Sequence, residues 1–277
     1  MNNLVSVIIP TKNSSKFLEN CLISIKKQTY KDIEVIIVDG KSTDETRAVA
    51  KVYNCKLYTF VPKVKKGLFD ATPKRNYGGK MAKGDFLYFV DADMILSKNV
   101  ITESVHVCIT KKIDAVIIPE DSFGQGPWAK AKNLERRFYW NDDGVESPRF
   151  FRKNIWEKLG GYDETIAGGG DDRDLYQKAI EQGCKVQRIT SMVLSNEGKP
   201  TFWGLMKKQF MYKQEILHYM KKRPIHGIKS YFPFRRSHIE NFGIFFSRPK
   251  DTFFLFIMKS GEIIGSIAGI FYAIVKR

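Results

Sequence analysis

The sequence has few cysteines, and none of the four lies close to another. Cys21, Cys55, Cys108 and Cys184 form no CxxC pair in the 277 residues. Disulfide frameworks and structural zinc sites depend on paired or closely spaced cysteines, so this spacing argues against both. We expect the protein to work in a reducing compartment.

Features of secreted or membrane-spanning chains are also sparse. The first residues, MNNLVSVIIPTKN, have no basic segment, no long apolar stretch and no small-residue cleavage site, so we expect no signal peptide. The longest uncharged run near the C-terminus, Ile263–Val275, has 13 residues. A bilayer span needs about 20 apolar residues. We also find no internal repeat and no low-complexity segment.

Acidic residues are scarce relative to basic ones. The chain has 46 Lys and Arg against 30 Asp and Glu, which gives a net charge of +16. Within Lys199–Lys259, 13 Lys and Arg against 3 Asp and Glu leave +10 of that charge. Such a charge favours polyanionic partners: nucleic acid, diphosphates or an anionic membrane surface. With 43% hydrophobic residues, the composition excludes a disordered chain and predicts a globular one.

Short apolar runs alternate with helical patterns in the first half of the chain. The runs are Val5–Ile9, Val35–Val38, Phe86–Val90 and Ala115–Ile118. Strands buried on both faces have this composition. Asn13–Ser15 can cap a first helix, and Ser42–Thr43 a second that has Asp44 and Glu45 in its first turn and runs to about Tyr53. This order predicts an α/β fold with a mostly parallel sheet, in which ligands bind beyond the carboxyl ends of the strands.

Polar residues follow three of the predicted strands. Pro10 and Thr11 follow the first strand, and Asp39 follows the second. Residues 91–93, with the sequence Asp-Ala-Asp, follow the run that ends at Val90. Two carboxylates this close repel each other where water is scarce, and a divalent cation relieves the repulsion. A solvated acidic turn is the alternative interpretation, because a single Asp-x-Asp is a weak signal.

Five motifs occur in order along the chain. They are VDGKSTDET (38–46), KRNYGG (74–79), AKGDFLYFVDADM (82–94), GGYDE (160–164) and GGGDDRDL (168–175). Together they resemble glycosyltransferase family 2, whose members are inverting enzymes that use nucleotide sugars and have the GT-A fold. The resemblance covers roughly residues 4 to 198. It implies an α/β GT-A domain, a Rossmann-like and mostly parallel sheet flanked by helices.

The resemblance implies a UDP- or GDP-sugar donor and places its nucleotide. Asp39 would contact the base, and Pro10 and Thr11 would line the same pocket. Arg75 and Asn76 would approach the nucleotide and its phosphates.

The resemblance also implies a divalent cation, Mg²⁺ or Mn²⁺, that holds the donor diphosphate. Asp91, Ala92 and Asp93 match the metal-binding motif, with Asp93 as a direct ligand and Asp91 beside it. Many relatives complete the metal shell with a histidine after a late strand. Residues 194–198 contain none, and Asn196 or Glu197 could substitute.

The same resemblance assigns the general base to an acidic pair that opens a later helix, here Asp171 and Asp172, with Asp172 as the base. The residues agree with a helix there, because Leu175 and Ala179 share one face and Gly183 follows. The partial positive charge at a helix N-terminus favours an ionised carboxylate. We therefore expect an ionised Asp172 at neutral pH, with a plain surface carboxylate as the alternative, and Asp171 as a helix cap.

Two further positions depart from the common family pattern. Gly40 stands where many relatives have a second Asp, and Asp171 stands where they have Glu. We assign no catalytic role to the histidines, which are His106, His218, His226 and His238.

The segment between the metal and base motifs is rich in aromatic and arginine side chains. It contains a predicted helix, Trp128–Tyr139, followed by a turn at Asn141–Gly144. Aromatic rings stack on sugars and guanidinium groups bind phosphates, so Trp128 and Arg149 are candidate acceptor contacts. The alternative is that these aromatics belong to the core.

The C-terminal stretch Phe253–Val275 has an apolar face and a polar face at helical spacing. The apolar face has Phe253, Phe256, Ile257, Ile263, Ile264, Ile267, Phe271, Ile274 and Val275, and the polar face has Lys259, Glu262, Ser266, Lys276 and Arg277. This pattern is typical of a helix lying in the membrane interface. Gly261, Gly265 and Gly269 form a stripe that could pack on another helix. A membrane-crossing helix and a core helix or dimer contact are the alternatives.

These observations predict a catalytic domain over residues 1–198 and a basic, amphipathic helical region over 199–277. Within the first, a nucleotide-sugar half (about 1–118) precedes an acceptor half (about 119–198). The predicted function is inverting, metal-dependent transfer to a hydroxyl of a lipid-linked (polyprenyl or dolichyl) glycan on the cytoplasmic face of the cell membrane, with peripheral or monotopic attachment. The alternatives are a synthase acting on the bare lipid phosphate, a nucleic-acid-binding protein and a catalytically silent scaffold. We expect no nucleic-acid partner, because no binding motif for one occurs.

Overall fold

A seven-stranded, mostly parallel sheet organises the protein. The computed structural model describes residues 3–63, 70–143, 145–166, 170–214, 222 and 240–275. The strands are β1 (Val5–Thr11), β2 (Ile33–Asp39), β3 (Lys56–Thr59), β4 (Phe86–Phe89), β5 (Met94–Leu96), β6 (Ala115–Ile117), β7 (Glu120–Phe123), β8 (Phe150–Arg152), β9 (Val186–Arg188) and β10 (Val193–Asn196). The main sheet has the order β3-β2-β1-β4-β8-β6-β9, with only β8 antiparallel to its neighbours, and β5-β10-β7 form a second sheet.

Helices cover both faces of the main sheet. The described helices are α1 (Ser15–Lys26), α2 (Thr46–Val52), α3 (Ala71–Met81), α4 (Val100–Lys111), α5 (Gly126–Phe138), α6 (Lys153–Lys158), α7 (Asp171–Glu181), α8 (Phe202–Lys213), α9 (Ile244–Ser247) and α10 (Pro249–Val275). Alternate residues of β1 enter two cores. Val7 packs with α1 and α4 on one side, and Ile8 packs with α6 and α7 on the other.

The predicted α/β class with a mostly parallel sheet is confirmed, and the four apolar runs coincide with β1, β2, β4 and β6. The second helix was predicted to begin too early. It starts at Thr46, and Asp44 precedes it. Asp44 instead accepts hydrogen bonds from the backbone and hydroxyl of Ser15 and of Thr46, so it ties the starts of α1 and α2 together. Gly144, the end of the predicted turn, lies outside the described residues.

The C-terminal helices pack on the rest of the chain through α5. Ala131 and Leu134 of α5 form a small core with Leu205 of α8 and with Leu255 and Met258 of α10. Residues 215–221 and 223–239 of the basic segment, which include His218, His226 and His238, lie outside the described residues. The division at residues 198 and 199 stays a prediction.

The predicted glycine stripe lies against α8. A Cβ atom on Gly261 would lie 2.5 Å from the ring of Phe202, and one on Gly265 only 2.3 Å from the carbonyl oxygen of Met206. The two helix backbones therefore approach closely, as small residues allow.

Replacing Gly265 with Ala should lower the free energy of unfolding by about 1–3 kcal/mol, because a backbone oxygen cannot move away cheaply. In an exposed helix the same change normally stabilises by about 0.5–1 kcal/mol. Gly243→Ala, at the N-cap of α9, is the control for steric contact, since a Cβ there meets nothing within 4 Å. Equal effects of the two substitutions in urea unfolding would contradict the close packing.

The outer face of α10 is apolar and exposed. Phe253, Ile264, Ile267 and Phe271 are each about 60% exposed or more. The inner face combines the core residues Leu255 and Met258 with one ion-pair network, in which Lys259 pairs with Glu135 of α5 and with Glu262. By length and composition alone, α10 could also cross a membrane. The helix is 27 residues long, longer than the uncharged run indicated.

Candidate active site

Arg75 lies at the centre of a buried cluster of charges. It projects from α3, and its Nη2 donates to Oδ1 of Asp91 at 2.7 Å. Its Nη1 donates to Oδ2 of Asp171 at 2.9 Å and lies 3.8 Å from Oδ1 of Asp172. One guanidinium therefore joins the carboxylate after β4 to the acidic pair that opens α7.

Arg149 joins the same two places from the other side. Because β8 runs antiparallel to β4, its first residues lie at the carboxyl end of β4, and the Arg149 carbonyl accepts from the Phe89 amide. Arg149 donates to Oδ2 of Asp91 at 3.1 Å, and its Nη2 is 3.6 Å from Oδ2 of Asp172. We call Arg75, Arg149 and the carboxylates of residues 91, 171 and 172 the arginine–carboxylate cluster.

Both carboxylate oxygens of Asp91 are bonded within this cluster. Burial acts to raise the pKa of Asp91, but the charges of Arg75 and Arg149 more than offset it and hold the pKa well below its usual range. Asp91 is therefore ionised and already has two cationic partners.

Asp171 does not cap the helix as expected. It is the first residue of α7, and the N-cap position before it is occupied by Gly170. It is buried, and its Oδ2 accepts from the hydroxyl of Thr72 at 2.6 Å as well as from Arg75. The physical reason is that a buried carboxylate needs a full set of donors, which α3 supplies. Asp171 thereby fixes α7 against α3.

Asp172 differs from Asp171 in the hydrogen bonding of its carboxylate. Its Oδ1 is buried and has no hydrogen-bond partner among the described residues. Burial raises the pKa of Asp172, Arg149 and Arg75 oppose that effect, and Asp171 adds to it. This direction is opposite to the one that the helix N-terminus alone would produce, and the expectation that Asp172 is ionised at neutral pH stays a prediction.

Asp93 makes no ion pair with any described residue. Burial, followed by repulsion from Asp91, Glu120 and Glu197, raises the pKa of Asp93 to about 6. Its backbone carbonyl accepts from the amide of Asn196 at 2.8 Å, so it lies beside the end of β10. An unpaired carboxylate among like charges is a favourable ligand for a cation.

The residues present fit a divalent cation bound at Asp93. No group of three or more His, Cys, Asp or Glu side chains in the described ranges has the arrangement of a metal site. Mg²⁺ commonly needs only one or two carboxylates when substrate phosphates and water supply the other ligands. Asp93 could serve in this way with a diphosphate, whereas both oxygens of Asp91 already have partners.

The two residues proposed to substitute for histidine already have partners. Asn196 accepts from the amide of Gly198, and Glu197 accepts from Arg136 at 3.3 Å. Arg136 also pairs with Glu120, at the start of β7. Sequence reasoning missed Glu120, because an acidic residue at the start of a short strand has no recognisable pattern.

Asp39 ends β2 and is fully buried. It accepts from the hydroxyls of Thr11 and Ser42, from the Ser42 amide at 3.0 Å and from Arg47 at 3.1 Å. Pro10 and Thr11 lie next to it, paired with Val38 and Asp39 in the β1–β2 register. Asp39 therefore holds the ends of β1 and β2 together, and its base-contacting role stays a prediction.

The Asn76 side chain joins α3 to the GGYDE motif. Its amide nitrogen donates to the carbonyl of Tyr162 and to Glu164, both at 2.8 Å, and its oxygen accepts from the Tyr162 amide at 2.9 Å. This geometry favours a positioning role, with direct nucleotide contact still a prediction.

Ala92 is buried, and Trp128 packs between Phe202 and Phe254.

Taken together, the fold and the charged cluster at the strand ends define a GT-A protein. The structure of TarS 1–349 from Staphylococcus aureus, solved with UDP-GlcNAc, matches 96% of this chain and 90% of its own with a TM-score of 0.55 and 17% identity. The mannosyltransferase PcManGT from Pyrobaculum calidifontis, solved with GDP-Man and Mn²⁺, matches 98% and 86% with a TM-score of 0.58 and 17% identity.

Sequence comparison identifies the family. Residues 6–177 match the family model for Glycosyl transferase family 2, and the chain belongs to that family. The glycosyltransferase GlyG of Streptococcus pneumoniae is 32% identical over 117 residues, which are 42% of this chain and 39% of GlyG. TarS, a poly(ribitol-phosphate) β-N-acetylglucosaminyltransferase, is 32% identical over 115 residues, or 41% of this chain and 20% of TarS. The matched region thus spans well under half of either relative.

Proposed function

We propose that this protein is an inverting glycosyltransferase that moves a sugar from a UDP- or GDP-sugar to a hydroxyl of a lipid-linked (polyprenyl or dolichyl) glycan. The observation that carries the proposal is the buried Oδ1 of Asp172, which accepts no hydrogen bond from any described residue and lies beside the arginines that also hold Asp91. A proton acceptor and a binding site for a diphosphate are then neighbours.

The reaction is a single displacement. Asp172 takes the proton of the acceptor hydroxyl as that oxygen forms a bond to the anomeric carbon. The bond from that carbon to the diphosphate oxygen breaks, and its electron pair leaves with the nucleoside diphosphate. Because attack comes from the face opposite the leaving group, the anomeric configuration inverts. General-base catalysis of this kind contributes about 10²–10⁴-fold to rate.

The chain supplies charge for the leaving diphosphate. A bound divalent cation would neutralise the negative charge that grows there. Asp93 is the residue that would hold it. Arg75 and Arg149 place two guanidinium groups at the same strand end, where they can form charge-assisted hydrogen bonds. The nucleotide-sugar and Mn²⁺ complexes of the structural neighbours support this assignment.

We also propose that α10 attaches the enzyme to the cytoplasmic face of the membrane. Its exposed apolar face is contiguous along the helix, and the chain is strongly basic. Each Lys or Arg near an anionic lipid surface adds about 1 kcal/mol of attraction. A lipid-linked acceptor would then be presented at the surface where the enzyme binds.

Substituting Ile264 and Ile267 together with Asp should weaken binding to phosphatidylglycerol vesicles by more than about tenfold. A buried Ile side chain contributes about 1.5–3 kcal/mol, and tenfold corresponds to about 1.4 kcal/mol. Vesicle flotation measures the change. Val52→Asp, at an exposed apolar residue on α2, should have no effect. Wild-type protein that stays out of the vesicle fraction at low salt would contradict the membrane proposal.

Product analysis tests the proposed function. The protein is incubated with UDP- and GDP-sugars and Mn²⁺, with a polyprenyl-linked oligosaccharide in one reaction and bare polyprenyl phosphate in another. We expect an elongated oligosaccharide whose new linkage has inverted configuration. Product on the bare phosphate alone would indicate a synthase instead. Donor that stays unconsumed in both, together with salt-dependent binding of oligonucleotides, would contradict transfer.

A further inference from the structure

Asp70 is a carboxylate at the ends of β1 and β2 that neither the motifs nor the arginine–carboxylate cluster uses. It immediately precedes α3, and its side chain is 21% exposed. Its neighbour Asp39 is fully buried and already accepts from four donors. Of these two carboxylates, Asp70 is therefore the one that can accept a further hydrogen bond from a ligand.

Lys74 holds Asp70 in this place. Its ammonium group is almost completely buried, donates to the carbonyl oxygen of Thr11 at 3.0 Å and pairs with Oδ2 of Asp70 at 2.8 Å. Burial lowers the pKa of Lys74, and the Asp70 carboxylate opposes that effect. A buried ammonium group with a backbone anchor is a rigid support for its partner.

Gly40 makes room for this pair. A Cβ atom at residue 40 would lie 2.6 Å from the Lys74 ammonium nitrogen and 3.2 Å from Oδ2 of Asp70. Any side chain at this position would overlap the ammonium group. The Lys74 ammonium thus fills the space where a side chain of residue 40 would begin, and the Asp70 carboxylate lies next to it at the end of β2.

We propose that Asp70, held by Lys74 over Gly40, contacts the base of the donor nucleotide and selects uracil or guanine over cytosine or adenine. This inference rests on the proposed function, because it requires a nucleotide at the carboxyl ends of β1 and β2.

The selection follows from hydrogen-bond chemistry. An ionised carboxylate only accepts hydrogen bonds. Uracil and guanine each have a ring N–H that can donate to it. Cytosine and adenine have an unprotonated ring nitrogen in the corresponding place, which would face the carboxylate lone pair to lone pair. A site built to bond an N–H strongly rejects a ligand that lacks it.

Calorimetric titration with UDP, GDP, CDP and ADP in the presence of Mn²⁺ tests the assignment. The full-length wild-type protein should bind UDP or GDP at least about tenfold more tightly than CDP and ADP. Asp70→Asn should reduce that ratio to less than about threefold, because an amide both donates and accepts. Affinity for inorganic pyrophosphate should not change.

Two further variants make the test specific. Asp32→Asn removes an exposed carboxylate just before β2, at the opposite end of that strand, and should keep the wild-type ratio. Gly40→Ala displaces the Lys74 ammonium and leaves the Asp70 side chain itself unchanged. It should also reduce the ratio of affinities. It therefore tests the proposal even if Asp70→Asn does not fold.

The failures of the two proposals are distinguishable. Wild-type protein that binds pyrophosphate and all four nucleotides equally would overturn the role of Asp70 while leaving transferase function standing. An unchanged ratio in folded Asp70→Asn would overturn it as well. Wild-type protein that binds none of the nucleotides would contradict the proposed function itself, and the inference with it.

Discussion

Asp172→Asn is expected to lower the turnover number by about 10²–10⁴-fold, the usual contribution of a general base. The amide has nearly the same shape as the carboxylate but cannot take a proton from the acceptor. Oδ1 of Asp172 has no hydrogen-bond partner in the described part of the chain, so the substitution breaks no bond at that atom. Sugar transfer from a radiolabelled donor measures the loss.

The fold should survive this substitution. The two oxygens of Asp172 lie 3.8 Å from Arg75 and 3.6 Å from Arg149, beyond hydrogen-bonding distance, so unfolding stability should change little. Asp114→Asn, at the amino end of β6 where Asp114 accepts from the Lys185 amide, is the matched control and should retain full turnover. Wild-type turnover in Asp172→Asn would exclude this residue as the base.

Arg75→Met is expected to lower the free energy of unfolding by about 3–5 kcal/mol, as removal of one partner from a buried ion pair usually does. The guanidinium is 8% exposed and Asp171 3%. Without Arg75, the described donors that remain are the Thr72 hydroxyl for Oδ2 of Asp171 and the Arg149 guanidinium for Asp91. The buried carboxylate of Asp171 and the partly exposed carboxylate of Asp91 would thus each lose a cationic partner.

Urea unfolding followed by circular dichroism measures this loss. Lys56→Met is the control, because Lys56 is 42% exposed and an exposed pair contributes about 1 kcal/mol or less. Its partner Glu34 keeps the hydroxyl of Ser6 and the amide of Lys83 as donors. Similar losses in the two variants would show that the arginine–carboxylate cluster is not a buried network.

The parts of the fold that the sequence predicted are those with a strong local pattern. The long strands β1 and β2 consist mainly of β-branched residues, and Leu175 and Ala179 of α7 share one buried face. The short strands β4 and β6 lie in uninterrupted apolar runs and were predicted, whereas the three residues of β5 and of β8 are too few to show a period. Their pairing is decided by tertiary contacts, which local patterns do not record.

The candidate site was predicted as a set of residues but not as a network. The motifs named Arg75, Asp91 and Asp172 individually, yet their connection depends on where α3 meets α7 in space. Arg149 was expected near the acceptor, and the antiparallel β8 places it in the arginine–carboxylate cluster. The direction of the Asp172 pKa shift also needed the structure, because burial is a tertiary property.

The Asp70–Lys74 pair shows a different limit of sequence reasoning. The absence of a second Asp at Gly40 was visible, but not its consequence. Only the structure shows that the buried ammonium of Lys74 fills that space and holds the Asp70 carboxylate beside it. The amphipathic C-terminal helix, in contrast, could be predicted almost completely, since its periodicity alone assigned the face that is exposed.

The central claim is that Asp93 and Asp172 act on one donor in one site, the first through a cation and the second as base. A ligand stabilises the fold that it binds, so thermal unfolding with UDP- and GDP-sugars, with and without Mn²⁺, tests this claim. The three proteins compared are the wild type, Asp172→Asn and Asp93→Ala. We predict a Mn²⁺-dependent rise in melting temperature for the wild type and for Asp172→Asn, and none for Asp93→Ala. A rise of equal size in Asp93→Ala, or none in any protein, would contradict the claim.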